Sequence, residues 1–170
     1  MRLPHLVRIL AAAAFLSCPV PGGAAVSSVA PPCSAHQLTA ADAGTKNYST
    51  RSVTKIDVIN NSRSTCSLRG YPQLSFLLFS GAPMFVLLNK TAADANYKTP
   101  GPTTIGLPSL ERASFLLGYP KTKAGRNACV AISNISIVFG PAPRLEAVNV
   151  PDTISSCGTV NVSPFYRLRV

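Results

Sequence analysis

Tryptophan is missing from this 170-residue chain, methionine occurs twice, and six acidic residues stand against sixteen basic ones. So few carboxylates leave little material for two-carboxylate hydrolysis, which needs a pair held in one cleft. The six are Asp42, Asp57, Asp94, Glu111, Glu146 and Asp152, and no local spacing brings two of them together. Charged residues make up 13% of the chain, about half of the roughly 25% usual in soluble domains. Histidine is scarce too. His5 lies in the apolar start of the chain, which leaves His36 as the lone imidazole of the body. A Ser-His-Asp or Cys-His centre would have to use it. There is no Gly-x-Ser-x-Gly elbow, no phosphate-cradling glycine loop and no Cys-x-x-Cys pair. Asp94 to Asn96 offers too few oxygens for calcium. The expectation is a chain without catalytic residues, metal or cofactor, with His36 a solvated surface residue. A small hydrolase built on His36 is the alternative.

Long apolar runs are also lacking beyond the start of the chain, so no later segment is a membrane span. The start itself reads as an export signal. Arg2 and Arg8 supply positive charge, and Leu6 to Leu16 is an apolar stretch too short for a comfortable span. Pro19 and Pro21 would break a helix there. Gly23 and Ala25 fit the small-residue pattern before a signal-peptidase cut. Residues 1–25 are therefore read as signal peptide, 26–32 as a short leader and 33–170 as one domain. Phe15-Leu16-Ser17-Cys18 is a faint form of a lipoprotein cut, with lipidation of Cys18 as the alternative to its removal. Loss of Arg2 and Arg8 lowers the formal charge from +10 to about +8.

What is present is turn material between short apolar runs. The chain holds 15 prolines and 11 glycines without a low-complexity tract. In Val53 to Ile59, Ile56 and Val58 share one face while Lys55 and Asp57 point the other way. That is the period of a half-buried strand. Further strands are expected at Gln73 to Phe79, Met84 to Leu88, Thr103 to Leu107, Ala113 to Leu117, Cys129 to Phe139, Leu145 to Val150 and Thr159 to Val162. The parity of Cys129 to Phe139 breaks near Ser133-Asn134, a bulge signal. Cys33 to Asn47 is weakly patterned, with Leu38 a candidate strand residue and Asp42-Ala43-Gly44 a turn. Lys90 to Pro102 reads as a polar loop, and one alternative function is a protease inhibitor presenting it. About eight or nine short strands without a helical stripe point to an all-β fold, two antiparallel sheets packed face to face. A closed barrel is the alternative.

Setting Cys18 aside leaves Cys33, Cys66, Cys129 and Cys157, an even number that fits an oxidised, exported protein. Four cysteines permit three pairings. Cys33–Cys66 and Cys129–Cys157 are favoured, because each ties a terminal segment to a well-marked strand region and closes a loop of about thirty residues. After Cys66, Gly70 gives backbone freedom and Pro72 fixes its own φ, with Tyr71 between them.

Cys33, then Asn60-Asn61-Ser62, then Cys66-Ser67-Leu68-Arg69-Gly70-Tyr71-Pro72 resembles domain-of-unknown-function family 4232. Cys129, Cys157-Gly158 and Val162-Ser163-Pro164 are similar as well. The family consists of exported bacterial domains, often actinobacterial, some of them lipoproteins. The resemblance implies an immunoglobulin-like β-sandwich in the envelope or outside the cell. It carries no established activity and no catalytic residues to transfer. Where the family has a glycine-containing turn, this chain has Ser109-Leu110-Glu111-Arg112.

Positive charge is the one chemical lead. Lys121, Lys123 and Arg126 share a predicted loop, and Arg167 and Arg169 end the chain, a candidate anion-binding patch. The sequence leaves the partner unknown, with an anionic envelope polymer or another envelope protein as candidates. Nucleic acid is the weaker candidate, since only Tyr119 and Tyr166 lie among basic residues. Membrane contact would follow only from a lipidated Cys18. Asn-x-Ser/Thr sites at Asn47, Asn60, Asn89, Asn134 and Asn161 matter only in a eukaryotic secretory route.

Overall fold

Residues 30–121, 129–140, 146–150 and 154–167 are described by the structure, a computed structural model. The signal segment with Cys18, and Lys123, Arg126, Asp152 and Arg169, lie outside them. Ala35–Gln37 is a short 3-10 turn, and every regular element after it among the described residues is strand. β1 (Leu38–Asn47), β2 (Arg51–Asn60), β3 (Cys66–Arg69), β4 (Gln73–Leu77) and β5 (Pro83–Met84) come first. β6 (Leu88–Lys90), β7 (Ala93–Asp94), β8 (Tyr97–Lys98), β9 (Thr104–Leu107) and β10 (Arg112–Pro120) follow. β11 (Val130–Ile132), β12 (Asn134–Phe139), β13 (Glu146–Val150), β14 (Ile154–Ser156) and β15 (Val160–Val162) complete the series.

The order β1-β2-β10-β15-β6 makes one sheet, and β13-β12-β4-β5 the sheet opposite. All their pairings are antiparallel except β15 with β6. The inner faces follow from period-2 alternation. Ile56 and Val58 of β2, Ala113, Phe115 and Leu117 of β10, and Val160 and Val162 of β15 meet Phe76 of β4, Ile135 and Ile137 of β12, and Val148 and Val150 of β13. Phe165 closes one end of this core edge-on against Phe115, with ring centroids 5.6 Å apart. The short pair β3–β9 adds Leu68 and Leu107 at the same core. The cysteines pair as Cys33–Cys66 and Cys129–Cys157.

Several expectations need correction. Asp42-Ala43-Gly44 is a bulge within β1, not a turn, because the register slips between Asp42 and Thr45. Gly44 takes φ 114° there and its amide donates to Asp42 Oδ1. The expected strand Met84 to Leu88 is divided between β5 and β6, with Phe85 and Leu87 turned outward. Lys90 to Pro102 holds the β7–β8 hairpin. The long run to Phe139 does break at Ser133, whose amide donates to the Leu77 carbonyl.

The turn before β10 carries the chain's departure from the pattern it resembles. Glu111 N–H donates to the Pro108 carbonyl, and Leu110 sits at the third turn position with φ 61°. That turn class asks for glycine there. A left-handed non-glycine residue costs about 1–2 kcal/mol, and glycine returns roughly 0.5–1 kcal/mol of that in chain entropy. Leu110 is largely exposed, so its side chain contributes little burial. Leu110→Gly is therefore expected to raise stability by about 0.5–1 kcal/mol, read as a higher urea midpoint at unchanged slope.

Candidate functional site

His36 was the one residue on which a hydrolase could rest, and the fold brings partners to it. Ser34 Oγ lies 3.3 Å from Nε2, and Glu146 Oε2, from β13, lies 3.7 Å from Nδ1. The order Ser-His-Glu imitates a catalytic triad, but the hydrogen bonds run elsewhere. Ser34 Oγ donates to Gln37 Oε1 at 2.9 Å, so its proton is not aimed at the imidazole. The Ser34 and Ala35 amides donate to Gln37 Oε1 and Glu146 Oε2, and the Gln37 amide to the Ser34 carbonyl. These local N–H groups are thus already taken and are not poised for an oxyanion. His36 and Glu146 side chains are 76% and 55% exposed, where water weakens such contacts.

The outer face of the five-stranded sheet holds a stronger arrangement. Register places Asp57 of β2 opposite Ser114 of β10, and Ser114 opposite Tyr166. Ser114 Oγ donates to Asp57 Oδ1 at 2.6 Å, Lys55 Nζ lies 3.1 Å from Oδ1, and Arg112 Nη1 donates to Oδ2 at 3.3 Å. The solvent-facing Asp57 of the alternation pattern is therefore buried under its own partners. Burial pushes its carboxyl up, but hydrogen bonds from Ser114, Lys55 and Arg112 together outweigh that and hold it below the ordinary 3.8. A depressed folded value adds stability that is present above the unfolded value and is lost as pH falls through the folded one. Asp57→Asn is thus expected to be less stable than the parent at neutral pH. The gap should close on acidification below about pH 4, as followed by urea unfolding across the pH series.

Farther along the same face, the β7–β8 hairpin folds down onto β10. It can do so because β10 has glycine at 118: a Cβ there would sit 2.6 Å from Asp94 Oδ2 and 3.1 Å from Tyr97 Cε1. Asp94 Oδ1 accepts the Asn96 and Tyr97 amides, Oδ2 accepts Asn161 Nδ2, and Arg51 Nη2 lies 3.9 Å from Oδ2. Arg51 Nη2 also donates to the Gly118 carbonyl at 2.8 Å. Tyr48 Oη reaches across to the Asn96 carbonyl at 3.3 Å. Under this bridge lies a cavity of about 360 Å³, lined by the β1 bulge, Tyr48, Lys55, Tyr97, Leu116 and Tyr166. The Tyr97 hydroxyl is buried without a hydrogen-bond partner among the described residues. Burial, then the charge of Asp94, pushes its hydroxyl pKa up. Burial and then Asp57 do the same at Tyr166.

A cavity of about 470 Å³ lies at the Gly-Tyr-Pro turn, with Arg69, Tyr71, Pro72, Phe139 and Phe165 in its wall. One of about 220 Å³ lies beside Phe85, Leu87 and Cys157. None of the three cavities includes Ser34, His36 or Glu146. Among the described residues, no three His, Cys, Asp or Glu side chains gather as a metal site would require.

Of the expected basic patch, Lys121 and Arg167 are among the described residues, and these two stand apart. Arg167 donates to Glu111 Oε2 and the Gly106 carbonyl, just before β10 begins, whereas Lys121 follows the end of β10. The length of that nine-residue strand, roughly 30 Å, lies between them. Lys123, Arg126 and Arg169 are outside the described residues. The described charges show a further pattern. Every described acid is engaged within the fold: Asp42 by Gly44, Asp57 and Asp94 as above, Glu111 by Arg167, Glu146 by Ala35 and His36. Lys46, Arg63, Arg69, Lys90, Lys98 and Lys121 are exposed, and none makes a salt bridge among the described residues. Lys46, Lys90 and Lys98, with Lys55, belong to the five-stranded sheet and the hairpin over it. Tyr48, Tyr97 and the cavity they frame were missed in the sequence. Gly118 inside an apolar strand was the available signal, since such a glycine marks a close approach.

Two packed sheets clamped by two disulfides, with no deep polar cleft around the lone described histidine, define a small oxidised all-β module. The family model described as "Domain of unknown function (DUF4232)" matches residues 33–166, and the chain belongs to that family. No curated protein and no solved structure matches it.

Proposed function

We propose that the chain is an exported, non-enzymatic binding module whose five-stranded sheet meets an anionic polymer of the cell envelope. Charge distribution carries the reading. Each described carboxylate has a partner within the fold, Asp57 and Asp94 being buried with theirs, while lysines on and over one sheet are exposed without a salt bridge among the described residues. Such a face attracts polyanions at long range, and salt screens the attraction beyond about 8–10 Å. The two disulfides support an oxidising compartment, as the apolar start of the chain does. Against a hydrolase stands the Ser34 proton on Gln37. Against a protease inhibitor stands the hairpin, which is folded onto Gly118 instead of projecting.

The purified oxidised protein should be retained by immobilised envelope extract, and retention should fall steadily with added salt. No retention at any ionic strength would remove the reading. Ester hydrolysis or fluorophosphonate labelling that disappears in Ser34→Ala would replace it with the hydrolase. A protein partner is the second reading, favoured by Phe85 and Leu87, which are 95% and 77% exposed. Protease treatment of the extract separates the two, because it destroys a protein partner and spares a polymer.

A further inference from the structure

The cavity under the β7–β8 hairpin has a composition that the charge argument alone does not require. Its wall combines three tyrosines, Tyr48, Tyr97 and Tyr166, with two lysines, Lys46 and Lys55, and contains no carboxylate. Its volume, about 360 Å³, falls within the usual range for small-molecule sites of roughly 300–1,000 Å³. The floor is the outer face of β2 and β10, where Val53, Lys55 and Leu116 lie. One wall is the hairpin tip, a second is Tyr166, and the β1 bulge forms the third. The bulge belongs to an edge strand, so the cavity opens at the side of the sheet and not into the core.

The electrostatics are unbalanced in one direction. Asp57 faces two cations, Lys55 at 3.1 Å and Arg112 at 3.3 Å, so one carboxylate leaves one positive charge over. Lys46 is exposed on the rim and forms no salt bridge among the described residues. Tyrosine offers an apolar ring face with a polar tip, suited to a ligand that shows C–H groups on one side and hydroxyls at its edge. Lysine supplies a point charge for a carboxylate or phosphate without demanding planar geometry.

From this we infer that the cavity binds an acidic saccharide unit: a sugar ring against the tyrosines, its acid group between Lys46 and Lys55. The inference rests on the proposed polymer-binding function and names the part of the polymer that is read. A chain with charge but no rings would use the lysines and leave the tyrosines idle.

The test is binding of the oxidised full chain to oligogalacturonate and to poly(glycerol phosphate) of matched charge. Variants are Tyr48→Ala, Lys46→Gln and, as a charge-matched control, Arg63→Gln in the turn after β2. Tyr48, Lys46 and Arg63 are all exposed, so unchanged circular dichroism and melting are expected. Oligogalacturonate should bind, and Tyr48→Ala and Lys46→Gln should each weaken it about tenfold, the size of one interface anchor. Arg63→Gln should change it less than about twofold. Poly(glycerol phosphate) should bind more weakly and ignore Tyr48→Ala. Equal losses in Lys46→Gln and Arg63→Gln with Tyr48→Ala silent would overturn the site and leave general polyanion binding standing. Retention on envelope extract without oligogalacturonate binding would likewise overturn the inference alone. Failure of the parent protein on both ligands and on the extract would take the proposed function with it.

Discussion

Asn60→Asp is expected to cost about 3–5 kcal/mol of folding stability, although the two side chains have nearly the same shape. Asn60 ends β2 and is fully buried. Its Nδ2 donates to the Ser64 and Leu107 carbonyls, both at 2.8 Å, and its Oδ1 accepts the Ser62 amide at 2.9 Å and Ser62 Oγ at 2.7 Å. Both donors and both acceptor positions of the amide are filled. The residue therefore holds the turn between β2 and β3 and ties it to β9. Its own backbone pairs with Leu110 and Glu111 in the turn before β10. A carboxylate there would set an oxygen against two carbonyl oxygens, with the charge out of water. Protonation would relieve the charge but restore only one of the two donors. Against a net domain stability of about 5–15 kcal/mol, the loss should lower the urea midpoint steeply at pH 7. A shift below roughly 0.5 kcal/mol would show that Asn60 does not organise this end of the fold.

Asn60 also shows where sequence reading reaches and where it stops. Alternation in β2 predicted Ile56 and Val58 inside, because half-buried strands write their burial into every second residue. The pairing of cysteines was open to loop-length reasoning, because the contacts it joins are close in sequence. Edge strand β1 was faint because most of its residues face solvent, and alanine and threonine there carry no apolar stripe. β3 and β9 are four residues each and the hairpin strands are two, shorter than any period can register. The cavity is harder still. Tyr48 follows β1, Tyr97 belongs to β8 and Tyr166 lies near the end of the chain, and only the pairing of β1 with β2, of β2 with β10 and of Ser114 with Tyr166 sets them around one space. Gly118 carried a trace of this, since a glycine within an apolar strand asks what lies on it. The Ser34-His36-Glu146 cluster escaped for the same reason, since Glu146 arrives only through β13. Here spacing hid a contact, yet the hydrogen-bond directions, not the proximity, decide its chemistry.

Removal of the first disulfide should be as damaging as the Asn60 change, and more so than removal of the second. On the chain-entropy model, Cys33–Cys66, with a sequence separation of 33, contributes roughly 3–4 kcal/mol, and Cys129–Cys157, with a separation of 28, contributes nearly as much. Their surroundings differ. Cys33 and Cys66 belong to the buried core cluster, beside Leu68 and Leu107, so alanines there also forfeit packing. Cys129 is only half-buried, and Cys157, although buried just after β14, is not part of that cluster. Cys33→Ala/Cys66→Ala is therefore expected to lose about 4–5 kcal/mol, and Cys129→Ala/Cys157→Ala about 3 kcal/mol, as read from urea midpoints of the oxidised parent and each double variant. Peptide mapping without reduction should yield Cys33–Cys66 and Cys129–Cys157 peptides, and a Cys33–Cys129 peptide would reject the order. Together the two losses approach the whole stability of an ordinary domain. A fully reduced chain should then melt near or below room temperature, with its β circular dichroism and its envelope retention lost together on adding reductant. If retention survived complete reduction, the polymer would be held by charge on an unfolded chain, and the folded sheet would have no part in binding.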